Sequence, residues 1–147
     1  MRHRNRYLIA TGILFFCSIA AQAADLSIEV SDFRNHQGNL MVAVFDSPAA
    51  YDALSTDRAY ALYTVKVQRD SARLTIHNVP EGRYAISLFH DENSISDLDT
   101  NMLGIPTEGY GISNARHKYG RPQFDTAAVI VQRGTRHISV TMQYLGG

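Results

Sequence analysis

Absences narrow this chain first. One cysteine, Cys17, stands in 147 residues. It lies in the apolar N-terminal run, so a domain beyond that run can form no disulfide, thiolate metal site or cysteine nucleophile. Basic charge is not in surplus, with 14 lysines and arginines against 14 acids, and no arginine-rich run follows the N-terminus. That composition gives nucleic acid no electrostatic footprint. The chain also lacks an HExxH pair, a serine-nucleophile motif and a phosphate-cradling glycine loop. No low-complexity linker divides it, and its length suits one core.

What is present begins with a leader. Three arginines and no acid stand in Met1–Arg6, and Tyr7 to Ala20 is almost wholly apolar before Ala21-Gln22-Ala23 supplies small residues at a cleavage spacing. This pattern reads as a secretory signal peptide over 1–23, with the mature domain over 24–147. An uncleaved anchor is the competing reading, but a spanning helix needs roughly 20 apolar residues. Loss of the three leader arginines from fourteen basic residues leaves eleven against fourteen acids, a weakly acidic mature chain. Export without disulfides suits a periplasmic or secreted bacterial protein with no membrane span after cleavage.

Beyond the leader the pattern is period two. Leu26, Ile28 and Val30 alternate with polar residues, Asn35 to Asn39 reads as a turn, and Asn39 to Asp46 as the returning strand of a hairpin. Ser47-Pro48 followed by AAYDAL suggests a short helical connector, with Ser47 as N-cap and Pro48 at the first helical position. Tyr60–Gln68 gives a third strand, and Leu74 and Ile76 mark a fourth. Arg83–Phe89 gives a fifth, with Tyr84, Ile86 and Leu88 inward and His90 inward at its mouth. Ala127, Val129 and Val131 define a sixth strand, and Ile138, Val140, Met142 and Tyr144 a seventh. The expected fold is all-β: a single antiparallel β-sandwich of about seven strands, transthyretin- or immunoglobulin-like, with a closed barrel as alternative.

One long ordered loop interrupts this scaffold between His90 and Asp125. Two partial calcium-loop registers can be laid on its acids. The first takes Asp91, Asn93, Asp97 and Asp99, with Ile95 where an oxygen ligand belongs. The second takes Asp97, Asp99, Asn101 and Glu108, with Met102 in the glycine place. Neighbouring carboxylates repel by about 1 kcal/mol per pair at roughly 4 Å in water, which a calcium ion would relieve. The competing reading is a loop whose Asp, Asn and Ser side chains bond to nearby backbone amides.

Glycines flank Tyr110, either to angle its ring outward onto a sugar or peptide or to let it plug one end of the domain beside Leu103 and Ile105. Arg116, His117, Lys118 and Arg121 could balance the acids across the loop. His90, Asp91 and His117 could in principle share a site for general acid–base work or metal ligation.

The residues His90-Asp91-Glu92-Asn93, Leu98-Asp99-Thr100-Asn101, Leu103 to Gly111 and Ser113-Asn114, with Pro80 to Tyr84 and Pro122 to Asp125, resemble a bacterial exported family named domain of unknown function 2141. The resemblance spans nearly the whole mature chain. It implies a transthyretin- or prealbumin-like fold and brings no activity with it. Where the family has an asparagine flanked by glycines after Asp-Glu-Asn, this chain has Ser94, Ile95 and Ser96.

The leading expectation is a non-enzymatic, exported binding module that meets an envelope protein or saccharide through Tyr110, His90, Glu108 and Asn114, with calcium a candidate structural ion. A metal-assisted hydrolase built on His90, Asp91 and His117 is the enzymatic alternative. A purely structural envelope role, which needs no concave site, is the third.

Overall fold

The structure is a computed structural model that describes residues 23–115 and 120–145. The leader with Cys17, and Arg116, His117 and Lys118, lie outside the described residues. Among the described residues eight strands run in the order β1 (Ala23–Ser31), β2 (Asn39–Phe45), β3 (Ala61–Lys66), β4 (Ser71–Pro80), β5 (Gly82–Asp91), β6 (Gly109–Ile112), β7 (Val129–Val131) and β8 (Thr135–Thr141). Two short α-helices, α1 (Pro48–Asp52) and α2 (Phe124–Ala127), precede β3 and β7, with a 3-10 turn at Thr56–Arg58 between α1 and β3. Among the described residues no helix is long and apolar enough to cross a membrane.

The strands form two sheets that do not close into a barrel. One is β4-β1-β8; the other is β3-β2-β5-β6, with β7 also on β5. Because β2 occupies one side of β5, β6 and β7 share the other side, β6 on Ser87–His90 and β7 on Gly82–Tyr84.

This arrangement corrects four sequence expectations. The strand count is eight because Gly109–Ile112, expected as loop, pairs with β5. β1 and β2 are not a hairpin but lie in different sheets, as do β3 and β4. Alternation identifies a buried face and says nothing about which neighbour a strand pairs with. Nor is the pairing wholly antiparallel, since β8 lies parallel to β1 from Asp25↔Thr135 to Ser31↔Thr141. Ala127, expected in the sixth strand, ends α2 instead.

Inward side chains of both sheets build one core, including Leu26, Ile28, Val30, Ile76 and Val140 from the first sheet and Leu40, Val42, Val44, Ile86 and Leu88 from the second. A smaller cluster lies on the outer face of the five-stranded sheet, where Phe45, Ala85 and Ile112 are covered by Ala50 and Tyr51 of α1 and by Phe124 and Ala127 of α2. These helices have about one turn each, too short to stand alone; their stability comes from this packing. Pro48 occupies the first turn as expected, but the Ser47 side chain makes no capping bond.

Arg121 belongs to this cap rather than to the acidic loop. Its guanidinium donates to the carbonyls of Tyr51 at 3.0 Å and Asp52 at 2.7 Å, satisfying the C-terminal carbonyls of α1. The Tyr51 hydroxyl returns a bond to the Pro122 carbonyl at 3.0 Å. Ser113 ties the same layer to the sheet, since its Oγ accepts from Ile86 N at 2.9 Å and donates to Ala127 O at 2.6 Å.

Burial pushes the Tyr51 hydroxyl up to about 12. An acid whose folded pKa exceeds its unfolded value stabilises the fold fully below the unfolded value, near 10, and loses that contribution as pH climbs through the folded one. Stability should therefore fall by as much as about 3 kcal/mol between roughly pH 10 and 12. Tyr51→Phe should flatten this slope while costing about 1 kcal/mol at neutral pH. Urea unfolding across that pH range checks both, and an unchanged alkaline slope in the variant would place the ionisation elsewhere.

Candidate functional site

The loop from 92 to 108 joins β5 to β6, and its acids point mainly at its own backbone. Asp91 is fully buried, and its two carboxylate oxygens accept the N–H groups of Ile95 and Ser96, both at 3.0 Å. Glu108, also buried, accepts from Glu92 N at 2.8 Å and Asp99 N at 3.2 Å. A buried carboxylate is costly unless bonded, and bonds from backbone amides to a charged acceptor are among the stronger ones. Each acid thus fixes a segment of loop that local turn propensity would leave loose.

Smaller side chains complete the path. Asn93 Nδ2 donates to Asp99 Oδ2 at 2.7 Å, and Asp97 Oδ1 accepts from Leu98 N at 2.9 Å. Thr100 bridges Pro106, and Thr107 N donates to Asp99 O at 2.9 Å, so 99–107 forms a miniature hairpin. Asn101 Oδ1 accepts from Leu103 N and Ile105 N, building its turn. The apex leaves Met102 and Leu103 at 104% and 83% exposure, with Ile105 and Ile95 also exposed. Leu103 and Ile105 therefore do not pack down as expected: the hairpin directs them to solvent.

A second set of bonds clamps this loop to the chain between β1 and β2. Arg34 pairs with Glu92 at 2.8 Å, donates to the Thr107 carbonyl at 3.0 Å and lies over the Tyr144 ring. Asn35 Nδ2 donates to Glu92 Oε2 at 2.6 Å. Beneath them His90 is fully buried, edge-on to Phe33. Its Nε2 faces the Gln37 carbonyl at 2.8 Å, which can only accept, so Nε2 carries the hydrogen. Tyr144 Oη then accepts from Arg34 N at 3.1 Å and donates to His90 Nδ1 at 2.9 Å. Burial raises the Tyr144 pKa, which keeps that hydroxyl protonated as a donor.

Three glycines make the approach possible. Gly38 has φ +64°, and a Cβ there would overlap the Asp91 carbonyl. In β6, a Cβ on Gly109 would strike the Tyr144 ring, and one on Gly111 would sit 2.7 Å from Val140 Cγ1 and 2.8 Å from Leu88 Cδ1. The glycines beside Tyr110 thus serve close packing of their own faces, and not an unusual backbone angle. Tyr110 itself is half-buried on the outer sheet face in register with Phe89, and its backbone exchanges two hydrogen bonds with Gln143 at 2.9 and 2.8 Å.

The structure therefore separates residues that the sequence grouped. Asp91 and Glu108 face loop amides, His90 sits in the core, Tyr110 stands on the outer face, and Asn114 lies beside α2 with its Nδ2 on the Ala128 carbonyl at 3.0 Å. Among the described residues no three His, Cys, Asp or Glu side chains converge as a metal-binding group. His117 lies outside the described residues. Arg34, Gly38 and Tyr144, which organise the site, carried no motif. Only the alternation that put Tyr144 inward hinted at one of them.

A family model described as "Uncharacterized protein conserved in bacteria (DUF2141)" matches residues 28–139. No curated protein and no solved structure matches the chain.

Ser94 and Ser96 have φ of +61° and +65°, the left-handed region that suits the glycines expected there. Ser96→Gly should therefore stabilise the protein by up to about 1 kcal/mol. Asp91→Asn, which replaces one accepting oxygen with a donor facing an N–H, should cost about 1.5–3 kcal/mol. Chemical unfolding of both variants measures the pair, and a neutral Asp91→Asn would mean that the loop is held by other contacts.

Proposed function

The chain belongs to this family of uncharacterized bacterial proteins, and we propose that it is an exported, non-enzymatic β-sandwich module that binds an envelope protein through the hairpin at 99–107. The export reading rests on the leader sequence. The observation that carries the binding reading is the contrast within one loop: its buried carboxylates hold backbone, while Met102, Leu103 and Ile105 stand in solvent. Large apolar side chains gathered on a tethered apex mark an interaction surface more often than a solubilising one.

The chemistry of the apex favours a protein pocket over a saccharide. Sugars stack on aromatic rings, whereas Met102, Leu103 and Ile105 are aliphatic, and Tyr110 is a half-buried residue of β6, not of the hairpin. A tethered apex also loses little conformational entropy on docking, which raises affinity for a given contact area.

The enzymatic alternative would need the nitrogens of His90 for chemistry, and both are engaged, one by Tyr144 and one by Gln37. Calcium at this loop would compete with the amides that Asp91 and Glu108 already accept.

Two measurements bear on this reading. A photo-crosslinking residue at Leu103 should capture a discrete envelope protein in the exporting cell, whereas the same residue at exposed Ser139 on the other sheet should not. Met102→Glu should abolish that capture with stability unchanged within about 0.5 kcal/mol. Equal capture at both positions, or none, would remove the apex from function, and retention on a saccharide matrix lost in Tyr110→Ala would move it to the sheet face. Separately, thermal unfolding after chelation should not respond to calcium. A saturable, calcium-selective rise, about 2.7 kcal/mol at 100 times the dissociation constant, would make the acids a metal site.

A further inference from the structure

Sulfur is scarce in this chain and unevenly placed. With Cys17 in the leader, the described residues carry it only in Met41, Met102 and Met142. Met142 is buried in the core between the sheets. Met41 is half-buried on β2, and the Thr64 hydroxyl donates to its sulfur at 3.5 Å. Of the three only Met102 stands wholly in solvent, at the tip of the hairpin.

The hairpin does not need this side chain for its shape. Its turn is closed by Asn101, whose Oδ1 accepts from Leu103 N at 2.9 Å and Ile105 N at 3.1 Å. The Asn101 N–H donates to Ile105 O and its carbonyl accepts from Gly104 N, both at 2.9 Å. None of these bonds uses the Met102 side chain, and its φ is not among the positive ones. A chemical change at its sulfur therefore alters the surface of the apex and leaves the turn intact. Leucine would fill a similar volume there. What methionine adds is a thioether that an oxidant in solution can reach.

We propose that Met102 is a reversible oxidation site that switches the apex from a docking to a non-docking state. The inference rests on the reading of the 99–107 hairpin as a protein-binding apex. A peroxide supplies the chemistry: the sulfur lone pair attacks one peroxide oxygen, the O–O bond breaks, and the sulfur is oxidised by two electrons to the sulfoxide. The departing hydroxide takes the proton of the transferred oxygen and leaves as water. The sulfoxide is polar, and in a partner's aliphatic pocket its oxygen would be buried without a donor, which weakens the contact about tenfold or more. A sulfoxide reductase restores the thioether with a dithiol as reductant, which becomes a disulfide as the oxygen leaves as water.

The fold supplies the selectivity. A peroxide meets Met102 directly, whereas it reaches Met142 only when the core opens and Met41 only at a sulfur already engaged by a hydroxyl. The two sulfurs whose oxidation would disturb packing are shielded, and the one whose oxidation changes only the surface is open. That division separates a switch from general oxidative damage.

The test treats the purified protein with hydrogen peroxide and follows each methionine by peptide mass spectrometry. Met102 should convert at least about tenfold faster than Met41 or Met142, with the urea midpoint unchanged. A photo-crosslinking residue at Leu103 then reads docking in an envelope fraction. Capture of the envelope protein should fall at least about tenfold on oxidation and return after treatment with methionine sulfoxide reductase and dithiothreitol. Met102→Gln, whose amide matches the sulfoxide in polarity, should lose capture without any oxidant. Met102→Leu should capture as the unmodified protein does and be blind to peroxide. Equal oxidation of the three sulfurs, a lowered urea midpoint on oxidation of Met102 alone, capture that survives the sulfoxide, or peroxide-sensitive capture in Met102→Leu would each overturn the switch and leave the docking reading standing. No capture by the untreated protein would instead remove the docking reading, and the switch with it.

Discussion

Two buried carboxylates, Asp91 and Glu108, govern the upper end of this domain, because each accepts a pair of bonds from the backbone of the segment between them. A carboxylate removed from water must find donors or give up its charge. Here the donors are amides that a long surface loop would otherwise leave to solvent. The two requirements satisfy each other, and the loop acquires a definite path without a disulfide. Gly38 permits the close approach, Arg34 and Asn35 clamp Glu92 from outside, and the Tyr144–His90–Gln37 chain anchors the floor.

Much of this was legible in the sequence, and the exceptions have physical causes. Alternation located nearly every strand, and it placed Tyr84, Ile86, Leu88 and His90 inward as observed. It could not reveal that β1 pairs with β8, because a strand's inward face looks the same whichever neighbour it has. Gly109-Tyr110-Gly111 read as loop because glycine is poor in strands; its steric role emerged only once Tyr144, Val140 and Leu88 were in place. The acids were identified as a group, but their direction was not readable. A carboxylate that holds a distant amide and one that awaits a cation look alike as letters.

The parallel pairing of β1 with β8 also bears on how the molecule forms. Among the described strands the first, β1, is the central member of its sheet, and one of its two neighbours is the last of them in chain order, β8. Loop closure on that scale is entropically slow, so β1 must wait with one edge bare until the C-terminal residues arrive. The three-stranded sheet, and the Tyr144 anchor just beyond it, can assemble only after β8 has been made. Until then β1 keeps an adhesive strand edge, which makes the arrival of β8 the step that ends its exposure to aggregation.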